Sequence, residues 1–259
     1  MQMLFEDSDL AVITKPAGVV VNEAASVKNQ TVQSWWWGLI KNQNRPIADW
    51  SVLMPKDFDG QYGSPEEIFQ NREGIVHRLD KDTSGVLLLA KNPGALSALL
   101  ADFKNRQIKK TYQCLVHGKL QPEAGAINLP IGRHPKQRKK MTVYPEGRQA
   151  ETRYKTLEVY RLPLAIDQNQ DFLSFLECQP LTGRMHQIRV HLAHLGHPIV
   201  GDSVYAGRKR TRRDRAWCAR HFLHASTLSF THPRTKEKLT FVSPLPADLQ
   251  TALDQLVKL

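Results

Sequence analysis

The stretch GIVHRLDKDTSGVLLLAKN, residues 74–92, constrains the fold most. Its second half, VLLLA at 86–90, is an unbroken apolar run of strand length, bounded by a Thr83-Ser84-Gly85 turn before it and by Pro93-Gly94 after it. A run of that length between turn signals reads as a buried strand, which needs a sheet around it. At its mouth stands Asp80, an acid among His77, Arg78 and Lys81 in a chain whose formal net charge is +11.

Around that strand the pattern is strand-rich with interspersed helices. LFEDSD and LAVITKP read as two strands, the second stopped by Pro16, and TVQSWWWGLIKN as a short helix capped by Thr31. GALSALLADFKN carries apolar residues at helical spacing, and KKTYQCLVHG alternates as a strand ending at Gly118. Further strands are expected at ETRYKTLEVY, FLSFLECQP, LHASTLSFTHP and KLTFVSP, and further helices at GRMHQIRVHLAHLG and ADLQTALDQLVKL. The expected class is α+β, a large, mostly antiparallel mixed sheet with flanking helices. No linker-like stretch divides residues 1–259, so a single domain is expected, with 22–73 as an insertion. Successive residues on a helix point about 100° apart, so Trp35, Trp36 and Trp37 cannot share one stacking face; core packing with an exposed edge is their expected use.

Charge narrows the partner. Lys and Arg number 36 against 25 Asp and Glu, and the excess is concentrated in KNRQIKK at 104–110, GRHPKQRKK at 132–140 and GRKRTRRDR at 207–215. Blocks of this kind suit a polyphosphate, because each phosphate contact releases counterions. Cys114, Cys178 and Cys218 form no CxxC pair, which argues against a disulfide framework or a cysteine zinc site and for a reducing cytoplasm. No apolar run approaches a membrane span, and MQMLFEDSDL has no signal-type apolar core.

Two sites carry chemistry on residue type alone. Cations beside Asp80 favour its ionised form, which suits a nucleophile, an electrostatic stabiliser or a metal ligand; the plain alternative is a cap on the turn into the next strand. In LTGRMHQIRVHLAHLG, Arg184 is expected at the start of a helix whose apolar stripe is Met185, Ile188, Leu192 and Leu195. The helix dipole opposes a cation there unless an anion answers it, and Asp80 is the natural partner.

HRLDKDTSG resembles the HRLDxxTSG signature of the RluA-type pseudouridine synthases at every defined position. TGRMHQIRVHL is similar to that family's arginine motif, TYQCLVHG to its tyrosine motif and ITKPAG to its Lys-Pro motif, in the family's order. The resemblance covers nearly the whole chain outside 22–73. It implies the pseudouridine synthase catalytic fold and isomerisation of uridine in structured RNA, with no cofactor, nucleotide or metal. It further implies Asp80 as the catalytic carboxylate, Tyr112 beneath the flipped base and Arg184 paired with Asp80. Arg78 is placed to enter the vacated RNA stack and Ile188 to give apolar contact near the base. Lys15, His77, Arg133, Lys139 and Lys140 complete the expected substrate-binding set. GRHPKQRKKM resembles the ribosomal members, which sets ribosomal RNA ahead of transfer RNA. A monomer without a separate N-terminal RNA-binding domain is expected, since the pattern begins near residue 4.

Three other readings compete. A non-catalytic RNA-binding module would keep the basic surface and lose Asp80, Tyr112 or Arg184, all of which are present. A glycosidic hydrolase would need a second acid, for which only Asp82 offers itself. His186, His191, His194, His197, His221 and His224 could suggest a metal, yet no HExxH or cysteine pair accompanies them, and backbone-bonded structural roles are expected instead.

Overall fold

The computed structural model describes residues 1–25, 27–41, 49–137, 140–163 and 171–259. They pack into two compact units. The first comprises Met1–Lys109 with Thr227–Ser243, the second Lys110–Ser226 with Pro244–Leu259.

In the first unit, β1 (Gln2–Glu6), β2 (Leu10–Lys15) and β3 (Ser84–Ala90) form an antiparallel meander, with Lys15 opposite Gly85 and Leu10 opposite Ala90. All seven residues of β3 are buried, as their unbroken apolarity demands. Helix α1 (Val32–Ile40) opens on a capping box between Thr31 and Ser34, and α2 (Pro65–Arg72) on one between Ser64 and Glu67. Asn92 caps α3 (Pro93–Lys104), with Pro93 supplying the preset φ of a first turn. Trp36 is fully buried and its Nε1 donates to the Ala90 carbonyl, while Trp37 meets Phe69 edge-on. Trp36 and Trp37 thus serve the core, while Trp35, half-buried, lies against the Trp36 ring.

The second unit is built on β4 (Lys109–His117), β9 (Phe172–Pro180) and β8 (Glu151–Arg161), paired in that order. β5 (Ala124–Asn128) and the short β12 (Val257–Lys258) also pair with β8. A separate hairpin joins β6 (Ile131–Arg133) and β7 (Met141–Val143). Its helices are α4 (Gln187–His194), α5 (Arg208–Asp214) and α6 (Ala247–Asp254). β10 (Leu223–Thr231) begins in the second unit, and its first-unit portion pairs with β11 (Lys238–Val242). Each of the strand pairings named above is antiparallel, and the fold is α+β.

The sequence places α1, β3, α3, β4, β8, β9, β10 and β11 correctly. It misses α2, α5, β5, β6, β7 and β12, and it starts α4 too early. Arg184 lies upstream of that helix, because His186 takes a left-handed conformation (φ 57°) and the helix begins only at Gln187. Met185 therefore precedes the helix, and Leu195 caps its end.

Candidate active site

Asp80 sits in the first unit after a mostly buried segment: Ile75, Val76 and Leu79 are buried, Arg78 is exposed and Asp80 is half-buried. Main-chain contacts fix its surroundings. Ile75 bridges Leu89, Ala90 N–H donates to the Gly74 carbonyl, and Thr83 N–H closes a turn onto the Asp80 carbonyl. Gly74 has positive φ, and a Cβ there would overlap the Ala90 carbonyl oxygen, so glycine is required.

Lys15, expected to meet substrate, is fully buried. Its ammonium donates to the carbonyls of Pro16, Val19 and Lys81 at 2.8, 2.8 and 2.9 Å. Three donors meet three acceptors, and the Lys81 carbonyl also accepts from Gly18 N–H. The Lys-Pro motif thereby clamps the chain next to Asp80. His77, also expected at the substrate, accepts from Leu88 N–H through Nε2 at 3.0 Å, so that nitrogen carries no proton, and its ring lies 4.8 Å from that of Phe103. Arg78 alone of this group points its charge outward.

The second unit carries Tyr112 and Arg184. Tyr112 lies on β4 opposite Cys178, partly buried against the unit's core. Arg184 is half-exposed; its Nε donates to the Gln149 carbonyl at 3.1 Å, and its two Nη atoms have no partner among the described residues.

A chain of buried polar groups holds the Arg184 loop. Gln187 Oε1 accepts from the Thr182 hydroxyl (2.7 Å) and from Arg184 N–H (3.0 Å), while its Nε2 donates to the Glu151 carbonyl and to Thr152 Oγ1. His191 bonds the Leu129 carbonyl through Nε2 at 3.0 Å, which places the proton on that nitrogen; Nδ1 then accepts from the Thr152 hydroxyl at 2.9 Å. Burial holds the His191 pKa below its ordinary value, with the bond to Leu129 opposing that shift.

Farther along α4, Arg189 grips Asp202 with Nε–Oδ2 and Nη2–Oδ1 distances of 2.7 and 2.9 Å, both side chains buried. Burial raises the Asp202 carboxyl, but the Arg189 guanidinium and the Val204 N–H outweigh it and leave the pKa lowered. Tyr205 lies under two cations, Arg189 and Lys140, each 5.2 Å from its ring centre, and its hydroxyl meets His186 Nδ1 and accepts from Met141 N–H. The β6–β7 hairpin, with exposed Arg133 at its edge, is fastened there. Lys139 lies outside the described residues, and Ile188 is buried in the core at 6% exposure.

Sequence reasoning missed Lys110. It lies two residues before Tyr112 on β4, hence on the same strand face, and its Nζ donates to the Thr182 carbonyl at 3.3 Å. Burial pushes its pKa down to about 8. The triplet Lys110-Thr111-Tyr112 with period-2 spacing was the available signal.

Asp7, Asp9 and His232 are a candidate metal group by proximity, with ligand atoms within 4.8 Å. Hydrogen bonds already use them. Arg234 donates twice to Asp9, Asn92 donates to Asp9, and His232 accepts two N–H groups at Nδ1 and so donates to Asp7 through Nε2. His197 similarly bonds the His117 carbonyl.

Comparison with known proteins follows the same lines. The RNA pseudouridylate synthase family matches residues 9–194. Over 185 residues the chain is 48% identical to an uncharacterized RNA pseudouridine synthase of Chloroflexus aurantiacus, covering 71% of this chain and 54% of that protein. It is 36% identical over 262 residues to ribosomal large subunit pseudouridine synthase D of Nitrosomonas europaea, covering 99% of this chain and 65% of that one. The chain thus spans between about half and two thirds of the length of these curated relatives. Among solved structures, Human RNA Pseudouridylate Synthase Domain Containing 1 aligns with a TM-score of 0.67 at 25% identity, over 99% of this chain and 88% of that one.

Proposed function

The chain belongs to the RNA pseudouridylate synthase family, and from that membership we propose that it isomerises uridine within structured RNA, ribosomal RNA before transfer RNA. The observation that carries the reading is Asp80: a half-exposed carboxylate in the full HRLDKDTSG signature, its flanking main chain fixed by Lys15 and by the turn to Thr83. A uridine stacked in folded RNA hides its glycosidic bond, so it must be flipped out, at a cost of a few kcal/mol. The exposed guanidinium of Arg78 takes the vacated place in the stack, and the Tyr112 ring supports the base.

Asp80 then acts on the ribose, either attacking the anomeric carbon or removing a neighbouring ribose proton. On the first route the bond to ring nitrogen breaks as the carboxylate bonds to the anomeric carbon, the uracil turns, and ring carbon 5 displaces the carboxylate. On the second, Asp80 returns the proton to the ribose as ring carbon 5 bonds to the anomeric carbon. On both, the released ring nitrogen takes a proton from solvent. The proton on carbon 5 leaves to solvent, with Tyr112 assisting. Arg184 holds Asp80 through its planar fork, for which both Nη atoms are suited. In this reading the two units work as one catalytic domain, monomeric and in the cytoplasm. The ribosomal preference rests on the relative named for the large ribosomal subunit.

The test is release of tritium from RNA labelled at uridine carbon 5, comparing wild type with Asp80→Ala on ribosomal and transfer RNA pools. Release by wild type alone establishes the reaction and the role of Asp80. No release by either protein from RNA that both bind defeats the proposal, and free uracil among the products would make the enzyme a hydrolase. Arg184→Lys is expected to keep RNA binding and lose most turnover.

A further inference from the structure

Helix α5 sets RKRTRRD, six charged residues of seven, on the second unit. Two residues one turn apart face inward: Thr211 is 7% exposed and Asp214 is 2% exposed. Neither is apolar. The Thr211 hydroxyl donates to the Gly207 carbonyl at 2.9 Å, and the Asp214 carboxylate accepts from Gly201 N–H at 2.8 Å and meets His117 Nε2 at 3.0 Å. The helix is therefore pinned by polar contacts on one side, and everything on the other side is cationic.

Arg208, Lys209, Arg210, Arg212 and the following Arg215 are exposed, and none has an acid partner among the described residues. Other basic residues of the unit do: Arg213 of the same helix meets Asp171 at 3.7 Å, Arg220 makes two bonds to Asp248, and Lys258 pairs with Glu158 at 2.8 Å. The arrangement also works against the helix itself. Cations fill the first turn, which holds no acid and where the dipole favours anions, and Arg208 and Arg212 stack as like charges four residues apart. A merely solvated face would carry acids at those spacings. Uncompensated cations along about 10 Å of helix fit a partner that brings its own row of negative charge.

The helix is also held in fixed relation to α4. Asp202 is gripped by Arg189 of α4 through its carboxylate, and its carbonyl accepts from Ala206 N–H at 3.0 Å just before α5. The cations are thus mounted on the element that follows the Arg184 loop.

We propose that α5 with Arg215 is a grip for the RNA phosphate backbone, supplying affinity and not the chemical step. This deepens the isomerase reading and rests on it for the identity of the polyanion. The test replaces Arg208, Lys209 and Arg212 together by Gln, leaving Thr211 and Asp214 intact. Binding to a transcript of large-subunit ribosomal RNA is titrated between about 50 and 400 mM KCl. Each lost phosphate contact lowers the salt slope by roughly 0.7 to 0.9. The triple variant is thus expected to lose about 2 to 3 from its slope and roughly 100- to 500-fold in affinity near 0.1 M salt. Its single-turnover rate at saturating RNA stays at the wild-type value.

A companion variant, Arg208→Lys with Arg212→Lys, retains charge and is expected to retain the slope. If it loses the slope as the Gln variant does, the residues act structurally and the grip is overturned. An unchanged slope in the Gln variant overturns it directly. So does a loss of binding confined to phosphatidylserine vesicles, which would assign the helix to lipid headgroups. The two proposals separate cleanly. Tritium release with no slope change leaves the isomerase and removes the grip, whereas a slope change without release leaves the grip and removes the isomerase.

Discussion

Asp80 and Arg184 are mounted in opposite ways. In the first unit the chain beside Asp80 is tied mainly to main chain: Gly74 to Ala90, Asp80 to Thr83, and Lys81 to both Gly18 and the Lys15 ammonium. In the second, Arg184 hangs from side chains, through Gln187 to Thr182, Thr152 and His191. The first construction depends on the path of the fold and on one lysine. The second depends on several polar residues, each of which can be broken singly.

The largest expected effect lies at the foot of the second construction. Asp202→Ala strands a buried Arg189 and should cost about 3–5 kcal/mol in denaturant unfolding. Because the folded Asp202 pKa is lowered, its contribution is complete above the unfolded value, near 3.9, and is lost as pH falls through the folded one. The acid limb of the stability profile should accordingly flatten in Asp202→Asn. A loss under about 1 kcal/mol in Asp202→Ala would mean that water replaces the carboxylate.

Next comes the clamp of the first unit. Lys15→Met removes the ammonium from three carbonyls, of which that of Lys81 keeps the Gly18 N–H, and should destabilise by about 2–4 kcal/mol, with turnover falling because the chain beside Asp80 loosens. Full stability with lost RNA affinity would return Lys15 to the substrate and erase the contrast.

Gln187→Leu probes the relay alone. Turnover should fall about 10- to 100-fold, equivalent to roughly 1.4–2.7 kcal/mol of barrier, while RNA affinity stays within about twofold. An equal fall in both would make the relay part of the binding surface.

The smallest effect belongs to Lys110. With a pKa of about 8, it loses its proton across the mildly alkaline range, so wild-type turnover should decline through pH 8 where the ammonium is the working form. Lys110→Met should show a flat profile there, and an unaltered decline would assign the titration to another group.

The same contrast explains what could be read in advance. The main-chain construction is contiguous in sequence: HRLDKDTSG and the apolar run of β3 announce both the carboxylate and its strand. The relay draws on positions 129, 151, 152, 182, 187 and 191, and its function exists only when β8 and α4 pack together. Helix α5 was hidden for a related reason, since Thr211 and Asp214 anchor it through tertiary hydrogen bonds and leave no apolar period. Lys15 and His77 were recognisable as parts of motifs, yet only their carbonyl and amide partners reveal that they face inward.

The Ala90 carbonyl, reached by the Trp36 indole and crowded by Gly74, has a consequence for protein engineering. The nine-residue signature around Asp80 is not a transplantable cassette. Its shortest portable version is a composite of residues 10–19, 31–41 and 72–90, because the Lys15 ammonium, the indole and the bare glycine together hold the segment that carries the signature against β3. A graft that carries only the signature will import the carboxylate without the seat that aims it.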